Sequence, residues 1–454
     1  MLTVVILAAG QGKRMRSQLP KVLHPVGGKP MLAHVIDTAK KLRADKIVVV
    51  HGHQAEQVKT AITDDSIVWC LQAEQLGTGH AVKQATEHIG ADDQVLVLYG
   101  DVPLIREQTL SALLAKQNTQ TVSLLTSELE DATGYGRILR DQANKVTAIV
   151  EEKDANDQQR AIREVNTGIL SAHGSDLCAW LEKIKSDNEQ DEYYLTDCIE
   201  LAVKDERTVA TLCLEDETEI TGVNSRVQLA EVEYYYQFRE RIRLMEAGVT
   251  LLDPDTVYIR GSVEVENDIV IEPNVTLVGT VSIAEGVTIG TNCVLINTQI
   301  SAGTQIHANS HIQDSIIGKN CEIGPFARLR PQVVLSDKVK IGNFVELKKS
   351  NIGDGSKVSH LSYVGDSQMG ERVNVGAGTI VCNYDGANKH QTKIGDDVFI
   401  GSDSQLVAPV EIGNGATIGA GSTVTRDAPA GKLTLARSKQ KTIDDWVRPT
   451  KSKK

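Results

Sequence analysis

The feature of this chain that most restricts its fold is a periodic one in its second half. An aliphatic residue followed by glycine recurs at Ile289, Ile317, Ile323, Ile341, Ile352, Val364, Met369, Val375, Ile394, Ile400, Ile412 and Ile418, and most gaps are 6 or multiples of 6. Neither a helical period nor simple strand alternation produces that spacing. Six-residue units with one inward aliphatic side chain build a parallel β-helix, three units to a coil. Each such residue stacks on its counterpart one coil away, roughly 4.8 Å off. A small residue four places later also points inward, as at Ala327, Ser356 and Ala416. A core of Ile and Val accounts for an aromatic content of only 4%.

The register predicts what lies outside. Ile394 follows Val381 by 13, one unit plus seven inserted residues, so a loop falls within Cys382 to Lys393. Two positions after successive unit starts stand His360, Ala377, Ser402 and Ala420, at gaps of 17, 25 and 18. One coil is short by a residue, one carries the insertion and one is regular. These four form a single outward column, roughly 14 Å long over three coil steps. His360 stands at one end of a track of small residues, which suits a slender chain such as pantetheine. Arg330 and Lys348 each follow a unit start by one residue and lie 18 apart. Two cations on neighbouring coils make a phosphate site.

The first half reads differently. Apolar Val4-Val5-Ile6 leads into LAAGQGKRMRSQLPK, Leu7 to Lys21. Gly10 and Gly12 allow a sharp turn and close approach to a ligand, and Lys13, Arg14, Arg16 and Lys21 supply cations. Free backbone N–H groups and fixed cations together suit a triphosphate. The spacing matches neither G-x-x-x-x-G-K-[ST] nor the dinucleotide fingerprint. Beyond it the spacing predicts a helix over Met31 to Leu42, a strand at Ile47 to Val50, and a helix near Gln54 to Ile62. A strand at Ile67 to Leu71, a helix from Gly79 and a strand at Val95 to Leu98 follow. This is an α/β, Rossmann-like domain with a mostly parallel sheet covered on both faces. Ligands sit beyond the carboxyl ends of such strands, where the Gly10 loop, Gln72 and Tyr99-Gly100-Asp101 fall. Asp101, read as the strand's end, suits Mg²⁺, which takes one or two protein oxygens and completes its shell with phosphate and water. Gln75 to Gly79 starts a helix whose amides could hold a base or phosphate, and Gly134-Tyr135-Gly136-Arg137 is a permissive turn. Glu151 and Asn166, judged singly, are only polar residues after apolar runs.

Between the halves, Arg226 to Gly248 lacks proline and internal glycine, and Gly248 is a plausible stop. Val227, Ala230, Tyr234, Phe238, Ile242 and Met245 mark a narrow apolar stripe on a connecting helix that spans roughly 33 Å and holds the halves apart. The domains expected are 1–226, a linker helix at 227–247, and 248–454. The 454 residues carry a net charge of −12, which disfavours a general nucleic-acid binder. The seven cysteines include no C-x-x-C pair, and the start is too short for a signal peptide. No apolar run approaches the roughly 20 residues of a membrane span. A cytoplasmic protein without nucleic-acid or membrane partners is expected.

The segments LAAGQGKRMRSQLPKVL, EQLGTGHA, YGDVPL, GYGR, EVNTG and GVNSR resemble sugar nucleotidyltransferases. With the hexad half, essentially the whole chain resembles the family of bacterial bifunctional N-acetylglucosamine-1-phosphate uridyltransferase / glucosamine-1-phosphate acetyltransferases. The resemblance implies a left-handed β-helix that forms a homotrimer, with acetyl transfer at subunit boundaries. It implies Mg²⁺ for uridylyl transfer and acetyl-CoA as co-substrate, with UTP and glucosamine 1-phosphate as the other small-molecule partners. Leu7, Ala8, Ala9 and Gly10 then contact the nucleotide, and Arg14 and Lys21 its phosphates. Gln72, Gly77 and Thr78 take the uracil and ribose, while Tyr99, Gly100 and Asp101 belong to the same nucleotide-sugar site. Gly136, Glu151 and Asn166 hold the N-acetylglucosamine, and Asp101 with Asn224 binds the metal. In the second half His360 becomes the general base. Arg330 and Lys348 bind the phosphate of glucosamine 1-phosphate, with Tyr363 and Asn374 on the sugar. Ala377, Asn383, Tyr384, Ser402, Ala420 and Arg437 meet acetyl-CoA. Two departures are visible: a turn one residue longer than expected at Asp141 to Lys145, and Ser225 after Asn224 in place of asparagine. Two other readings compete: a nucleotidyltransferase whose β-helix only assembles or regulates, and a sugar-nucleotide sensor without turnover. His360 with Arg330 and Lys348 argues against the first, Asp101 with Lys21 against the second.

Overall fold

The computed structural model describes residues 1–52 and 55–451. Gln54, where one helix was expected to begin, and the final Ser-Lys-Lys lie outside the described residues. The chain divides into two compact units, Met1–Phe238 and Arg239–Lys454.

The first unit is built on a nine-stranded sheet. Its strands are β1 (Leu2–Ala8), β2 (Lys46–His51), β3 (Ile67–Leu71), β4 (Gln94–Tyr99), β5 (Thr121–Glu128), β6 (Arg137–Arg140), β7 (Val146–Val150), β8 (Glu164–His173) and β9 (Thr208–Leu214). The order is β9-β5-β8-β4-β1-β2-β3, with the β6–β7 hairpin attached to β8. Alternate residues of β1, β2 and β4 enter different cores. Val5, Leu7, Val48, Val50, Val95 and Val97 pack on one face. Val4, Ile6, Val49, Leu96 and Leu98 pack on the other. Burial on both faces is why these strands read as unbroken apolar runs. β1 through β4 are mutually parallel where they pair, as are β5 and β9, but β8 runs antiparallel between β4 and β5. The chain reaches β8 after a hairpin, and that reversal makes the sheet mixed. β4 ends at Tyr99, so Asp101 sits in the turn beyond the strand and does not end it. The longer Asp141–Lys145 turn is the tip of the β6–β7 hairpin.

Arg226–Glu246 is one helix, but its covered face differs from the apolar stripe read in the sequence. Val227, Tyr234, Phe238 and Met245 are exposed, whereas Val232, Gln237, Arg241 and Leu244 are buried. Part of what the helix packs on is polar. The Arg241 guanidinium donates to the carbonyls of Val257 and Asp255 and to the Asp255 carboxylate.

The second unit is the expected parallel β-helix: one 11-stranded and one 15-stranded sheet, with parallel pairing throughout. One inward ladder runs Ile271, Ile289, Ile306, Ile323, Ile341, Val358, Val375, Ile400 and Ile418, each at most 3% exposed. The early strands Tyr258–Val265, Thr276–Ile283, Val294–Ile300 and His311–Ile317 run on over a corner that later coils break into separate short strands. Ala327, Ser356 and Ala416 fill the narrow inward corners. Truncating a ladder residue leaves a cavity that stacked coils cannot close, at a cost of about 2–5 kcal/mol. Ile400→Ala should therefore lower the urea midpoint of the β-helix, followed by circular dichroism. Ile380→Ala, at a position 45% exposed, should change stability by no more than about 0.5 kcal/mol.

Candidate active sites

The first unit holds a cleft of about 570 Å³ at the carboxyl ends of β1 and β4. Leu7, Ala8, Ala9, Gly10, Arg14, Lys21, Gln72, Gly77, Thr78, Tyr99, Asp101 and Asn224 all line it. The loop after β1 is anchored by Met15, which is buried with Val26, Met31, Leu104 and Val223. Lys21 then folds back across the loop. A Cβ on Gly12, where φ is +61°, would lie 2.8 Å from the Lys21 Cβ, so this glycine makes room for the lysine stem. The Lys21 ammonium donates to Asp101 Oδ2 at 2.5 Å and to Asn224 Oδ1 at 3.0 Å. A backbone bond from Val223 N to Asp101 O ties those two segments together. Arg14 is exposed at the cleft and has no acidic partner among the described residues. Both of the oxygens that meet at Lys21 are hard donors suited to Mg²⁺. Among the described residues no group of three or more His, Cys, Asp or Glu could hold a metal. A metal on Asp101 and Asn224 therefore needs phosphate and water to complete its shell, and that donor set fits Mg²⁺.

Gly100 lies beneath the cleft, its N–H donating to Leu7 O at 2.9 Å. Gly136, Glu151 and Asn166 form a neighbouring group. Asn166 N donates to Gly136 O at 2.8 Å, and a Cβ on Gly136 would lie 3.4 Å from the Glu151 carboxylate. Gly168, at φ +83°, leaves room for the Tyr99 ring, which a Cβ there would meet at 2.6 Å. Burial pushes the Glu151 carboxyl up, Thr196 opposes this by donating to Oε1 at 3.0 Å, and Asp154 and Glu192 push it further up. Thr196 carried no signal in the sequence.

In the second unit the four-residue column forms as expected. Val358 pairs with Val375, Val375 with Ile400, and Ile400 with Ile418, which aligns His360, Ala377, Ser402 and Ala420. The column has an unforeseen member one coil earlier, Asn343, which pairs with His360. His360 Nδ1 lies 2.8 Å from Asn343 Oδ1. The amide oxygen only accepts, so Nδ1 carries the hydrogen and Nε2 keeps its lone pair for a base. Its spacing of 17 before His360 was the available signal.

Arg330 and Lys348 also stack, because Leu329 pairs with Leu347. Arg330 Nη1 donates to Glu346 Oε1 at 2.9 Å. Lys348 is held below the ordinary lysine range, first by contact with Lys389, then by slight desolvation and the charges of Lys389 and Arg330. Asp366 pulls the other way. Lys389, from the inserted loop, makes this a cluster of three cations, and it lies outside any repeat that could have flagged it. Tyr363 follows His360 across one corner, and its hydroxyl accepts from Asn383 Nδ2 at 3.3 Å. Asn383 also donates to Asp366 Oδ2 at 2.5 Å. Asn374 pairs between Lys357 and Phe399, beside the His360 column. Tyr384 is exposed on the loop, which a Tyr384–Lys389 bridge and an Asp385–His390 contact of 2.7 Å hold in shape. Arg437 donates to Ala420 O at 2.6 Å, at the far end of the column.

Residues 4–162 match the MobA-like NTP transferase domain family, 254–340 the GMPPB C-terminal domain, and 391–426 the bacterial transferase hexapeptide repeats. Relatives named bifunctional protein GlmU match from end to end. That of Stutzerimonas stutzeri is 55% identical over 450 residues, covering 99% of each chain. That of Azotobacter vinelandii is 55% identical over 453 residues, covering 100% of each. That of Aromatoleum aromaticum is 54% identical over 452 residues, covering 100% of this chain and 99% of its own.

One acidic neighbour of Glu151 gives a pH signature. Burial raises the Asp197 carboxyl from 3.8 to about 6, with Glu200, Glu151 and Asp154 adding to the shift and Lys204 opposing it. A carboxyl raised on folding contributes stability at low pH that is lost as pH rises through its folded value. Asp197→Asn should therefore melt higher than the native chain at pH 7, and the difference should close by about pH 4. A thermal melting series across that range checks it.

Proposed function

Because the chain belongs to the bifunctional GlmU family, we propose that its first unit carries out uridylyl transfer and its second acetyl transfer, through the side chains described above. The enzyme acetylates glucosamine 1-phosphate with acetyl-CoA, then couples N-acetylglucosamine 1-phosphate to UTP and releases pyrophosphate. One observation carries the division of labour. Each unit has phosphate-reading cations of its own, Lys21 with Arg14 in one and Arg330, Lys348 and Lys389 in the other. On this reading 1–226 and 248–454 are the catalytic domains and 227–247 the linker helix.

In the acetyl step the phosphate of glucosamine 1-phosphate rests on the three cations, with Tyr363 and Asn374 on the sugar. Acetyl-CoA runs along Ala377, Ser402 and Ala420, beside Asn383, Tyr384 and Arg437. The sugar nitrogen attacks the thioester carbonyl, a C–N bond forms and the C–S bond breaks. Nε2 of His360 takes the proton from nitrogen, and the sulfur leaves to become the free thiol.

In the uridylyl step a phosphate oxygen of N-acetylglucosamine 1-phosphate attacks the α-phosphorus of UTP, and the bond to pyrophosphate breaks. Leu7 to Gly10 lie along the nucleotide, Gln72, Gly77 and Thr78 meet uracil and ribose, and Tyr99 and Gly100 close the site. Gly136, Glu151 and Asn166 hold the acetylated sugar. Arg14 and Lys21 neutralise charge that gathers on the phosphates. Asp101 and Asn224 would hold Mg²⁺, which supplies further neutralisation when bound.

A homotrimer through the β-helix completes the reading. Next to His360 is an apolar corner on which Phe326 and Phe344 stack at 5.2 Å, each about half exposed, and where Leu361 is 64% exposed. All three hold left-handed backbone, which disfavours bulky residues on a free surface. Burial against a second copy accounts for their presence. UTP and acetyl-CoA are cytoplasmic metabolites, which places the work in the cytoplasm.

The test follows free thiol and pyrophosphate separately in a mixture of acetyl-CoA, glucosamine 1-phosphate, UTP and Mg²⁺. His360→Ala should lose about 10²–10⁴-fold in thiol release and keep pyrophosphate release from added N-acetylglucosamine 1-phosphate. Asp101→Ala should do the reverse. Pyrophosphate without thiol from the native chain would leave only a nucleotidyltransferase, and neither product would leave a sensor. Phe344→Asp should shift the mass in solution from trimer to monomer and abolish thiol release alone.

A further inference from the structure

Asp366 stands one coil before the inserted loop and holds both ends of it. Its carbonyl accepts from Thr392 N at 3.1 Å, and its carboxylate accepts from Asn383 Nδ2 at 2.5 Å. Its own N–H donates to Lys348 O at 2.9 Å, which seats it on the coil that carries Lys348. Asn383 is only 7% exposed. A carboxylate only accepts, so this contact decides which end of the Asn383 amide is nitrogen. The Tyr363 hydroxyl, 3.3 Å from the same nitrogen, can donate or accept and decides nothing by itself. Oδ1 of Asn383 has no hydrogen-bond partner among the described residues, and it is not sealed off from solvent. Gly365 makes room for this arrangement. A Cβ there would lie 2.7 Å from Asn383 Nδ2 and closer still to the Tyr363 hydroxyl, and Gly365 itself pairs with Lys348. The unpaired oxygen thus belongs to a group set beside Tyr363 and Lys348, the residues read as sugar and phosphate contacts.

We propose that Asp366 is a positioning residue for acetyl transfer: by accepting from Asn383 it leaves the asparagine oxygen to the substrates, as an acceptor for an N–H. Two substrate groups offer one, the sugar amine and the pantetheine amides of acetyl-CoA. Without the carboxylate the amide is free to turn and set its own hydrogens against that N–H. The proposal rests on the reading of this unit as the acetyltransferase.

The experiment follows thiol release by the full chain, with acetyl-CoA and glucosamine 1-phosphate each varied while the other is saturating. Asp366→Gly removes the carboxylate and suits the φ of +49° at this position. Asp366→Ala repeats the removal with a Cβ retained. Both should lower kcat/KM about tenfold or more, since a misplaced reacting group forfeits that much. A rise in KM for acetyl-CoA assigns the N–H to the pantetheine amides, and a loss with that KM unchanged assigns it to the sugar amine. Inhibition by inorganic phosphate should not weaken, because a negative charge near the cations is gone. In an Asn383→Ala background, Asp366→Gly should cost no more than about twofold further, as a residue acting through Asn383 requires. A variant that melts like the native chain and keeps its kcat/KM overturns the proposal. So does a full further loss in the Asn383→Ala background. Weaker inhibition by phosphate overturns it too, because it reveals a residue that merely holds the loop and its Lys389. If the native chain releases no thiol, the acetyltransferase reading itself fails. Native thiol release that the variants match sinks the role of Asp366 alone.

Discussion

The contact on which the first unit depends is the ammonium of Lys21 held between Asp101 and Asn224. Its side chains are largely withdrawn from water, with Lys21 10% and Asp101 14% exposed. Charges this enclosed must be paired, since an unpaired buried charge costs several kcal/mol. The pairing joins three distant parts of the chain: the loop after β1, the turn after β4 and the segment before the long helix. It also explains the glycine at position 12, whose missing side chain is the space the lysine stem fills. The two acceptors that satisfy Lys21 are the ones a hard divalent ion would use. Phosphate oxygens in turn offer the ammonium another partner. Structure and chemistry thus draw on the same few atoms.

The second unit is ordered differently. Its order comes from repetition, with each aliphatic residue of one coil seated on that of the last. The outward columns are a consequence of the inward ladder. The register that buries Ile400 and Ile418 also aligns Ser402 with Ala420. An insertion between coils leaves this alignment intact, because Val375 still meets Ile400 across 25 residues. The inserted loop is therefore free to bring in groups the repeat cannot supply, and Lys389 and Asn383 are two of them.

This difference decides what could be read from sequence. Ladder positions, the column and the Arg330–Lys348 pair follow from counting, so the β-helix was legible nearly residue by residue. Lys389 was not, because its place depends on a loop fold set by local contacts such as Asp385 with His390. Asn343 obeyed the register but carried no chemical flag until its oxygen met His360. In the first unit, strands and loops were legible from apolar runs and glycines. The direction of β8 was not, since apolar patterning does not encode strand polarity. The long helix misled for another reason. A stripe of Val227, Tyr234, Phe238 and Met245 suggests a covered face, but the partners of Arg241 are carbonyl and carboxylate oxygens, and these draw a polar residue inward.

Composition, finally, excludes less than it first suggests. A net charge of −12 counts against a polyanion that must track a broad surface. It does not count against small anions. At physiological salt the field of distant charges fades over about 8 Å, so a phosphate in a site senses chiefly the cations that touch it. Arg14 and Lys21 in one unit, and Arg330, Lys348 and Lys389 in the other, are local excesses set in an acidic whole. The self-repulsion that holds Lys348 below the usual lysine range is relieved when an anion settles among the three. On the proposed reading, the clustered cations give each site its preference for a phosphorylated substrate, and the acidic groups elsewhere lie too far off to oppose it.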